Sequence, residues 1–147
     1  MSNKVKVDTI EDSLEIDNSI GIIISETWLD DSISDAEIQM SNFEIFRSDR
    51  LGRQRGGVAL YLRKNLNGRI FNKFSNSVVE TVIVTCKNTN TIFIGIYRPP
   101  STTNEEWECA LVNLNEQVSL AQANGCYETV ICGGDLNFPN LNIHASK

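Results

Sequence analysis

The feature that most constrains the fold is a pair of strand-like runs in the middle of the chain. Val78–Cys86 and Thr91–Tyr97 are rich in β-branched residues and are separated by only four polar residues. This arrangement is typical of a β-hairpin, in which a short turn joins two antiparallel strands. Pro99 and Pro100 follow the second run, and proline cannot donate a hydrogen bond to a sheet, so the strand must end before them.

A long helix is predicted after the prolines, over Asn104–Asn124, because apolar residues recur there at steps of three and four. Thr103 and Glu106 have the spacing of a capping box, and Gly125 stands where a helix commonly ends. A further apolar strand follows at Thr129–Cys132. Strands, a helix and a strand in this order predict a single α/β domain with mixed sheets, and the 147 residues suit one domain.

The N-terminal half is predicted to begin with an amphipathic helix and to continue into strands. The run Ile20–Ile24 is continuously apolar, as expected for a strand that is buried on both faces. Residues 30–42 are polar and are expected to form a loop, and no strand is predicted between residues 63 and 77. The predicted elements of this half are a helix over residues 4–17 and strands at Ile20–Ile24, Phe43–Arg47 and Val58–Leu62.

Charge is distributed unevenly along the chain. The net charge is −6, yet residues 47–73 contain eight basic residues and only one acidic residue, Asp49. A basic segment inside an acidic protein is typical of a surface that binds a polyanion, and it is equally compatible with a hairpin carrying ordinary surface charge. No segment is apolar over the roughly 20 residues that span a bilayer, and no signal peptide precedes the first helix, so we expect a nuclear or cytoplasmic protein that is not secreted.

Polar side chains follow three of the predicted strands. Glu26 comes after the first strand, Tyr97 ends the hairpin, and Asp135 and Asn137 follow the last strand. If these strands end at one edge of the domain, carboxylates, a phenol and an amide converge there. Mg²⁺ is commonly held by one or two carboxylates and substrate phosphate oxygens, and a phenol donates a hydrogen bond to phosphate. Many strands end in a polar residue, however, so this spacing alone leaves a purely structural role open.

Five segments in order resemble the endonuclease/exonuclease/phosphatase superfamily, and more narrowly the endonuclease domain of non-LTR (LINE-type) retrotransposons. They are spread over residues 25–139, so the resemblance extends over most of the chain. The segments are Ser-Glu-Thr-Trp-Leu from residue 25, Phe-Arg-Ser-Asp-Arg from 46, Arg-Gly-Gly-Val-Ala-Leu-Tyr from 55, Tyr-Arg-Pro-Pro-Ser from 97 and Cys-Gly-Gly-Asp-Leu-Asn-Phe-Pro from 132.

The resemblance implies a four-layered α/β sandwich, with two mixed β-sheets face to face and helices outside, that cleaves phosphodiester bonds with Mg²⁺ or Mn²⁺. By the resemblance, Glu26 is the metal ligand, Tyr97 contacts the scissile phosphate and Asp135 takes part in proton transfer. Asn137 steadies the phosphate and its neighbours.

The resemblance also implies DNA as the partner, with a reverse transcriptase domain expected elsewhere in the full-length element. Arg53, Arg55 and Arg98 are the candidate DNA contacts, although Arg98 is equally well read as a surface charge. Trp28 is interpreted as a packing residue, in the core or at its rim, rather than a DNA contact. A phosphatase or lipid phosphodiesterase is a further possibility within the superfamily, but the basic segment favours DNA.

By this resemblance, we expect residues 1–147 to correspond to a partial domain of the family. The family's first strand, with an asparagine near the metal, has no counterpart, and neither has the C-terminal third with its Ser-Asp-His motif. The single histidine, His144, follows Asn137 by seven positions with no aspartate before it, so it does not match that motif. We therefore expect this chain to be inactive by itself as an endonuclease. The alternative is a non-catalytic module that binds nucleic acid or another partner.

Overall fold

The computed structural model of the protein describes residues 3–50, 52 and 55–138. Three short 3-10 helices, at Asp35–Ile38, Lys64–Leu66 and Lys87–Thr89, lie between longer elements. In the described part of the chain, no helix has the length and apolar character needed to cross a membrane. The longer elements are α1 (Asn3–Ile16), β1 (Gly21–Ser25), β2 (Phe43–Ser48), β3 (Val58–Arg63), β4 (Arg69–Ser75), β5 (Glu80–Cys86), β6 (Thr91–Tyr97), α2 (Asn104–Asn124) and β7 (Thr129–Asp135).

The strands form two sheets, and the domain is therefore a mixed α/β fold, as the sequence predicts. The first sheet has the order β1-β3-β2, with both pairs antiparallel. The second sheet has the order β4-β5-β6-β7, in which β5 and β6 are the predicted hairpin and β7 runs parallel to β6. The long helix α2 makes the crossover that a parallel β6–β7 pair requires.

Strand direction brings five strand ends to one side of the molecule. Ser25 and Ser48 both lie opposite Val58, so β1 and β2 end together in the first sheet. Tyr97 lies opposite Glu80 on one side and Asp135 on the other, so β6 and β7 end together in the second sheet, and β4 ends beside them. We call this side, where β1, β2, β4, β6 and β7 all end, the carboxyl edge.

Apolar side chains form three clusters. One lies between the two sheets and includes Leu60, Val82 and Phe93. A second joins Val7 and Leu14 of α1 to the first sheet, and a third joins α2 to the second sheet. Each sheet therefore has a helix associated with it, and burial of these clusters provides the main driving force for folding.

The helix prediction for α2 is confirmed at both ends. Thr103 Oγ1 accepts a hydrogen bond from the Glu106 amide at 3.2 Å, and Glu106 Oε2 accepts one from the Thr103 amide at 2.9 Å, which completes the capping box. Gly125 follows the last helical residue in an extended conformation, and its amide donates to the Gln122 carbonyl at 3.3 Å.

The strand β4 is not predicted by the sequence, because a bulge interrupts its alternation. The register with β5 shifts between Ile70 and Asn72, so one residue on β4, Phe71, is extra. Phe71 and Phe74 consequently pack on the same side, against the α2 cluster, although they are three residues apart. Residues on one face of a regular strand are two positions apart, so a spacing of three does not predict a strand.

The first strand packs on both faces, as its continuous apolar run predicts. Ile23 contacts the cluster between the sheets, and Ile22 and Ile24 contact the α1 cluster on the other face. In the described residues β1 pairs only with β3, and this open edge leaves all five of its residues half-buried rather than fully buried.

We expect Gly134→Ala to destabilise the protein by about 3 kcal/mol, which urea unfolding would measure. Gly134 has a positive φ of 137°, and a Cβ there would lie 1.8 Å from the Ile96 carbonyl oxygen. The loss combines the cost of a left-handed alanine, about 1–2 kcal/mol, with the cost of overpacking, about 1–3 kcal/mol.

Gly52→Ala is the matched control, because Gly52 also has a positive φ (71°) but has no atom within 4 Å of an added Cβ. It should lose only about 1 kcal/mol. Equal losses in the two variants would show that β7 does not approach β6 as closely as the structure indicates.

Candidate active site

The Ser25 hydroxyl joins the two sheets at the carboxyl edge. Ser25 is the last residue of β1, in the first sheet, and its Oγ accepts a hydrogen bond from the Asp135 amide at 3.0 Å. The same hydroxyl donates to the Ile96 carbonyl at 3.5 Å, so it contacts both β6 and β7. Glu26, the next residue, is thereby held close to the ends of the second sheet. Sequence reasoning missed Ser25, since one serine at a strand end gives no signal of a contact 110 residues away.

Glu26 and Tyr97 form a direct pair across this junction. The Tyr97 hydroxyl donates to Glu26 Oε1 at 2.5 Å, although the two residues are 71 positions apart in the sequence. Tyr97 is only 2% exposed, whereas Glu26 lies on the surface. Burial raises the pKa of Tyr97, and the hydrogen bond and charge of Glu26 raise it further. The phenol is therefore protonated at neutral pH, and its proton holds the carboxylate in one orientation.

Asp135 and Asn137 lie at the end of β7, next to the end of β6 that carries Tyr97. Asp135 Oδ1 accepts a hydrogen bond from the Asn137 amide at 3.0 Å, and this turn closes immediately after β7. The Asn137 side chain donates through Nδ2 to the Arg98 carbonyl at 2.8 Å, while the Arg98 amide donates to the Asp135 carbonyl at 2.9 Å. These contacts fix Asp135 beside the end of β6. The structure thus brings together Glu26, Tyr97, Asp135 and Asn137.

The interpretation of Arg98 as a surface charge is wrong. Its side chain is buried, with 3% exposure, and the guanidinium donates to the carbonyls of Leu136, Asn137 and Thr102 at 3.2, 3.2 and 2.8 Å. The guanidinium also lies over the rings of Trp107 and Phe138. Arg98 therefore fastens the turn that carries Asp135 and Asn137, and it presents no free face to a DNA phosphate.

A buried ion pair lies behind Tyr97 and has no counterpart in the sequence predictions. Glu80 is 0% exposed, and its Oε1 lies 3.2 Å from Arg50 Nε. Burial raises the pKa of Glu80, and the Arg50 charge opposes this shift. The Glu80 charge in turn contributes to the raised pKa of Tyr97, which lies opposite it in the sheet. The sequence signal that could have indicated a buried glutamate is the position of Glu80 between Val79 and Thr81, at the start of an apolar strand.

The basic segment 47–73 does not form one continuous surface. Its first part belongs to the antiparallel hairpin of β2 and β3, and its last part lies in the second sheet. It runs from β2 in the first sheet to β4 in the second, and several of its charges are neutralised by acidic partners. Arg69 and Lys64 lie at the end of the molecule opposite the carboxyl edge, because β3 ends there and β4 begins there. The ion pairs are Arg47 with Asp35 and Asp49 at 3.1 and 3.3 Å, Arg50 with Glu80, and Arg63 with Glu15 at 3.1 Å.

Of the three candidate DNA-binding arginines, only Arg55 is exposed in the described residues, since Arg98 is buried and Arg53 lies outside them. The Arg55 guanidinium lies 5.5 Å from the centre of the Trp28 ring. Trp28 is 58% exposed, so it is not a core residue, and of the two packing roles that the sequence suggests only the one at the rim is left.

The donor set at the carboxyl edge fits a Mg²⁺ ion that is completed by substrate. Glu26 is exposed, and the Tyr97 hydroxyl is its only hydrogen-bond partner among the described residues, so Oε2 is left for another ligand. No group of three or more acidic, histidine or cysteine side chains in the described ranges is arranged to hold a metal. Mg²⁺ commonly takes one or two carboxylates and obtains its remaining ligands from water and phosphate.

No family model matches the sequence, and no curated protein matches it significantly. The residues at the carboxyl edge therefore have to support any functional proposal by their own chemistry.

We expect Arg50→Met to destabilise the protein by about 3–5 kcal/mol at pH 7.5, because it leaves the Glu80 carboxylate buried without a partner. The loss should be smaller at pH 4.5. A carboxyl with a raised pKa binds more protons in the folded state than in the unfolded state, so stability falls as the pH rises above the ordinary value of 4.5. Urea unfolding at the two pH values measures both losses.

The double variant Arg50→Met with Glu80→Gln is the control for this pair. It removes both charges, and it should recover most of the stability at pH 7.5 with little dependence on pH. An unchanged loss in the double variant, at both pH values, would mean that the ion pair does not cause the destabilisation.

Proposed function

We propose that this chain contributes the metal-binding and phosphate-binding residues of a Mg²⁺-dependent phosphodiester hydrolase. The proposed class is the endonuclease/exonuclease/phosphatase superfamily, and within it the DNA endonucleases of non-LTR retrotransposons. The observation that carries the proposal is the hydrogen bond between Tyr97 and Glu26, formed across the junction of two sheets and beside Asp135. Packing of the two sheets does not require Tyr97, Glu26 and Asp135 to lie together at the surface. Phosphoryl transfer, in contrast, uses carboxylates to hold a metal ion and hydrogen-bond donors to hold the phosphate.

The same proposal includes the four-layered sandwich. Three observations support it: α1 shares an apolar cluster with the first sheet, the two sheets share a second cluster, and α2 shares a third with the second sheet. An order of helix, sheet, sheet and helix accounts for all three.

In this proposal each residue has a separate role. Glu26 would hold Mg²⁺, or Mn²⁺ in its place, and the ion would supply positive charge to the phosphate oxygens. Tyr97 orients the Glu26 carboxylate with its single proton, and contact with a phosphate oxygen, the role that the resemblance gives it, would require that proton to be released from Glu26. Asp135 is the group that moves a proton, and Asn137 fixes the turn around it.

DNA is the proposed partner, and the exposed Arg55 supports this choice because it has no carboxylate within ion-pair distance in the described part of the chain. An unpaired cation beside a phosphate-binding site attracts a polyanion. A reverse transcriptase domain in the full-length element remains part of the proposal.

A second candidate function is nucleic-acid binding without cleavage. One observation that favours it is that the Tyr97 hydroxyl donates its proton to Glu26 and so does not donate to a phosphate. Another is that no histidine lies at the carboxyl edge among the described residues. Loss of a positioned acid–base group typically costs about 10²–10⁴-fold in rate. A site that lacks one acid–base group can still bind a phosphodiester, but it hydrolyses the phosphodiester slowly.

We expect Glu26→Gln to weaken Mn²⁺ binding by about tenfold or more, because the substitution removes the ligand charge. Calorimetry with Mn²⁺ in the absence of DNA measures the effect. Glu116→Gln is the matched control, since Glu116 is an exposed residue of α2, and it should bind Mn²⁺ as the unmodified protein does. Equal affinities in all three proteins would remove Glu26 from the metal site.

A nicking assay on supercoiled plasmid separates the two candidate functions. We expect any cleavage to be slow, to require Mg²⁺ or Mn²⁺, and to be lost in Asp135→Ala and on addition of EDTA. Asp12→Ala, a change at an exposed residue of α1, is the control and should retain the activity. DNA binding without metal-dependent nicking would select the non-catalytic function, whereas nicking that persists in Asp135→Ala would contradict the role given to Asp135.

A further inference from the structure

Trp28 is an aromatic side chain held in solvent. The chain has two tryptophans, and the other, Trp107, is buried, where its ring contacts that of Phe138. Trp28 is 58% exposed, and the Arg55 guanidinium is its one ring contact in the described structure. A single exposed apolar side chain is common in proteins, so exposure alone does not indicate a partner, and the surroundings of the ring have to do so.

The backbone around Trp28 is strained in a way that fixes this exposure. Glu26 and Trp28 have positive φ values of 53° and 55°, which are uncommon for residues other than glycine and asparagine. Two backbone hydrogen bonds secure the segment: the Trp28 amide donates to the Gly56 carbonyl at 3.0 Å, and the Thr27 amide donates to the Gly57 carbonyl at 3.4 Å. These bonds tie the end of β1 to the segment before β3. The ring is therefore presented by a constrained loop.

Arg55 gives this surface its charge. Its side chain is exposed, its φ is 87°, and its guanidinium lies over the indole face. The contact leaves the positive charge available to an anion. Because the guanidinium covers one face of the ring, a base would stack on the opposite face. An aromatic ring next to a free cation is the combination that binds a single-stranded nucleic acid, since bases stack on the ring and phosphates approach the charge.

The short distance between Trp28 and Glu26 indicates which kind of ligand would contact the ring. Trp28 follows Glu26 by two residues, so their Cα atoms are at most about 7 Å apart. A strand whose phosphate binds at Glu26 therefore places a neighbouring base within reach of the indole. A base that is stacked inside a duplex does not expose its face, so the base at this ring must be unpaired or turned out of the helix.

We propose that Trp28 and Arg55 form a stacking surface for an unpaired nucleobase adjacent to the phosphate held at Glu26. The inference rests on the proposed function and deepens it, since it identifies the substrate as a nucleic acid with an unstacked base near the bound phosphate. Nucleic acid is favoured over a protein partner because the ring, the free cation and the phosphate-binding residues lie together at the carboxyl edge.

Fluorescence of Trp28 tests the proposal without any cleavage. The probes are a thymidine 12-mer and a 12-mer of abasic sites with the same number of phosphates, titrated at low salt in Ca²⁺, an oxygen-binding cation that Glu26 and a phosphate would share. We expect the thymidine 12-mer to quench the tryptophan emission of the unmodified protein and to bind roughly 5–50-fold more tightly than the abasic strand, as one or two stacked bases would give. Trp28→Ala should bind both strands equally. Trp28→Phe should retain most of the affinity and lose the quenching.

Arg55→Ala and Arg69→Ala form a matched pair for the charge. Each substitution removes one exposed arginine. Arg69 lies at the start of β4, which is the end of the strand far from the carboxyl edge. We expect Arg55→Ala to reduce the salt dependence of binding by roughly one phosphate contact and Arg69→Ala to leave it unchanged.

Equal affinity of the unmodified protein for the two strands, with no effect of Trp28→Ala, would overturn the stacking surface and leave the proposed function standing. Absence of binding to either strand would overturn the stacking surface together with DNA as the partner. Base-dependent binding in a protein whose Glu26→Gln variant still binds Mn²⁺ normally would support the stacking surface and count against the proposed metal site.

Discussion

The hydrogen bonds of the Ser25 hydroxyl are the interaction on which the candidate site depends. Glu26 belongs to one sheet, whereas Tyr97 and Asp135 belong to the other, and sheets that pack through side chains normally lie about 10 Å apart. At the carboxyl edge this separation is bridged, because one hydroxyl contacts the ends of both β6 and β7. Small residues assist the approach: a Cβ at Gly133 would lie 2.9 Å from the Ile23 side chain.

The pair of Arg50 and Glu80 adds an electrostatic constraint to this junction. Burial of an ion pair often costs as much free energy as the attraction returns, so such a pair contributes little net stability. Its effect on Tyr97 is more specific. The Glu80 charge adds to the raised pKa of Tyr97, after the larger effects of burial and of Glu26, and the Arg50 charge opposes it.

Backbone strain is concentrated at the same edge. Among the described residues, the positive φ values away from this edge belong to glycine or to asparagines in turns, where they are well tolerated. At the carboxyl edge they occur at Glu26, Trp28 and Arg55. Residues in such conformations persist only where surrounding contacts hold them, and they are commonly found at binding and catalytic sites. The strain therefore coincides with the exposed ring, the free cation and the carboxylate that the two proposals use.

The sequence by itself determined the α/β class, the hairpin of β5 and β6, and both ends of α2, because hydrophobic period, turn residues and capping are local properties. It also selected Glu26, Tyr97, Asp135 and Asn137 as strand-end residues. Only the tertiary structure decided that these four meet, that Arg98 is buried and that Trp28 is exposed. It likewise revealed β4, whose bulge removes the alternation, and the Arg50–Glu80 pair. These features depend on contacts between segments that are far apart in the sequence. Residue spacing and composition are local properties, and they do not specify which strand ends the second sheet will pack against.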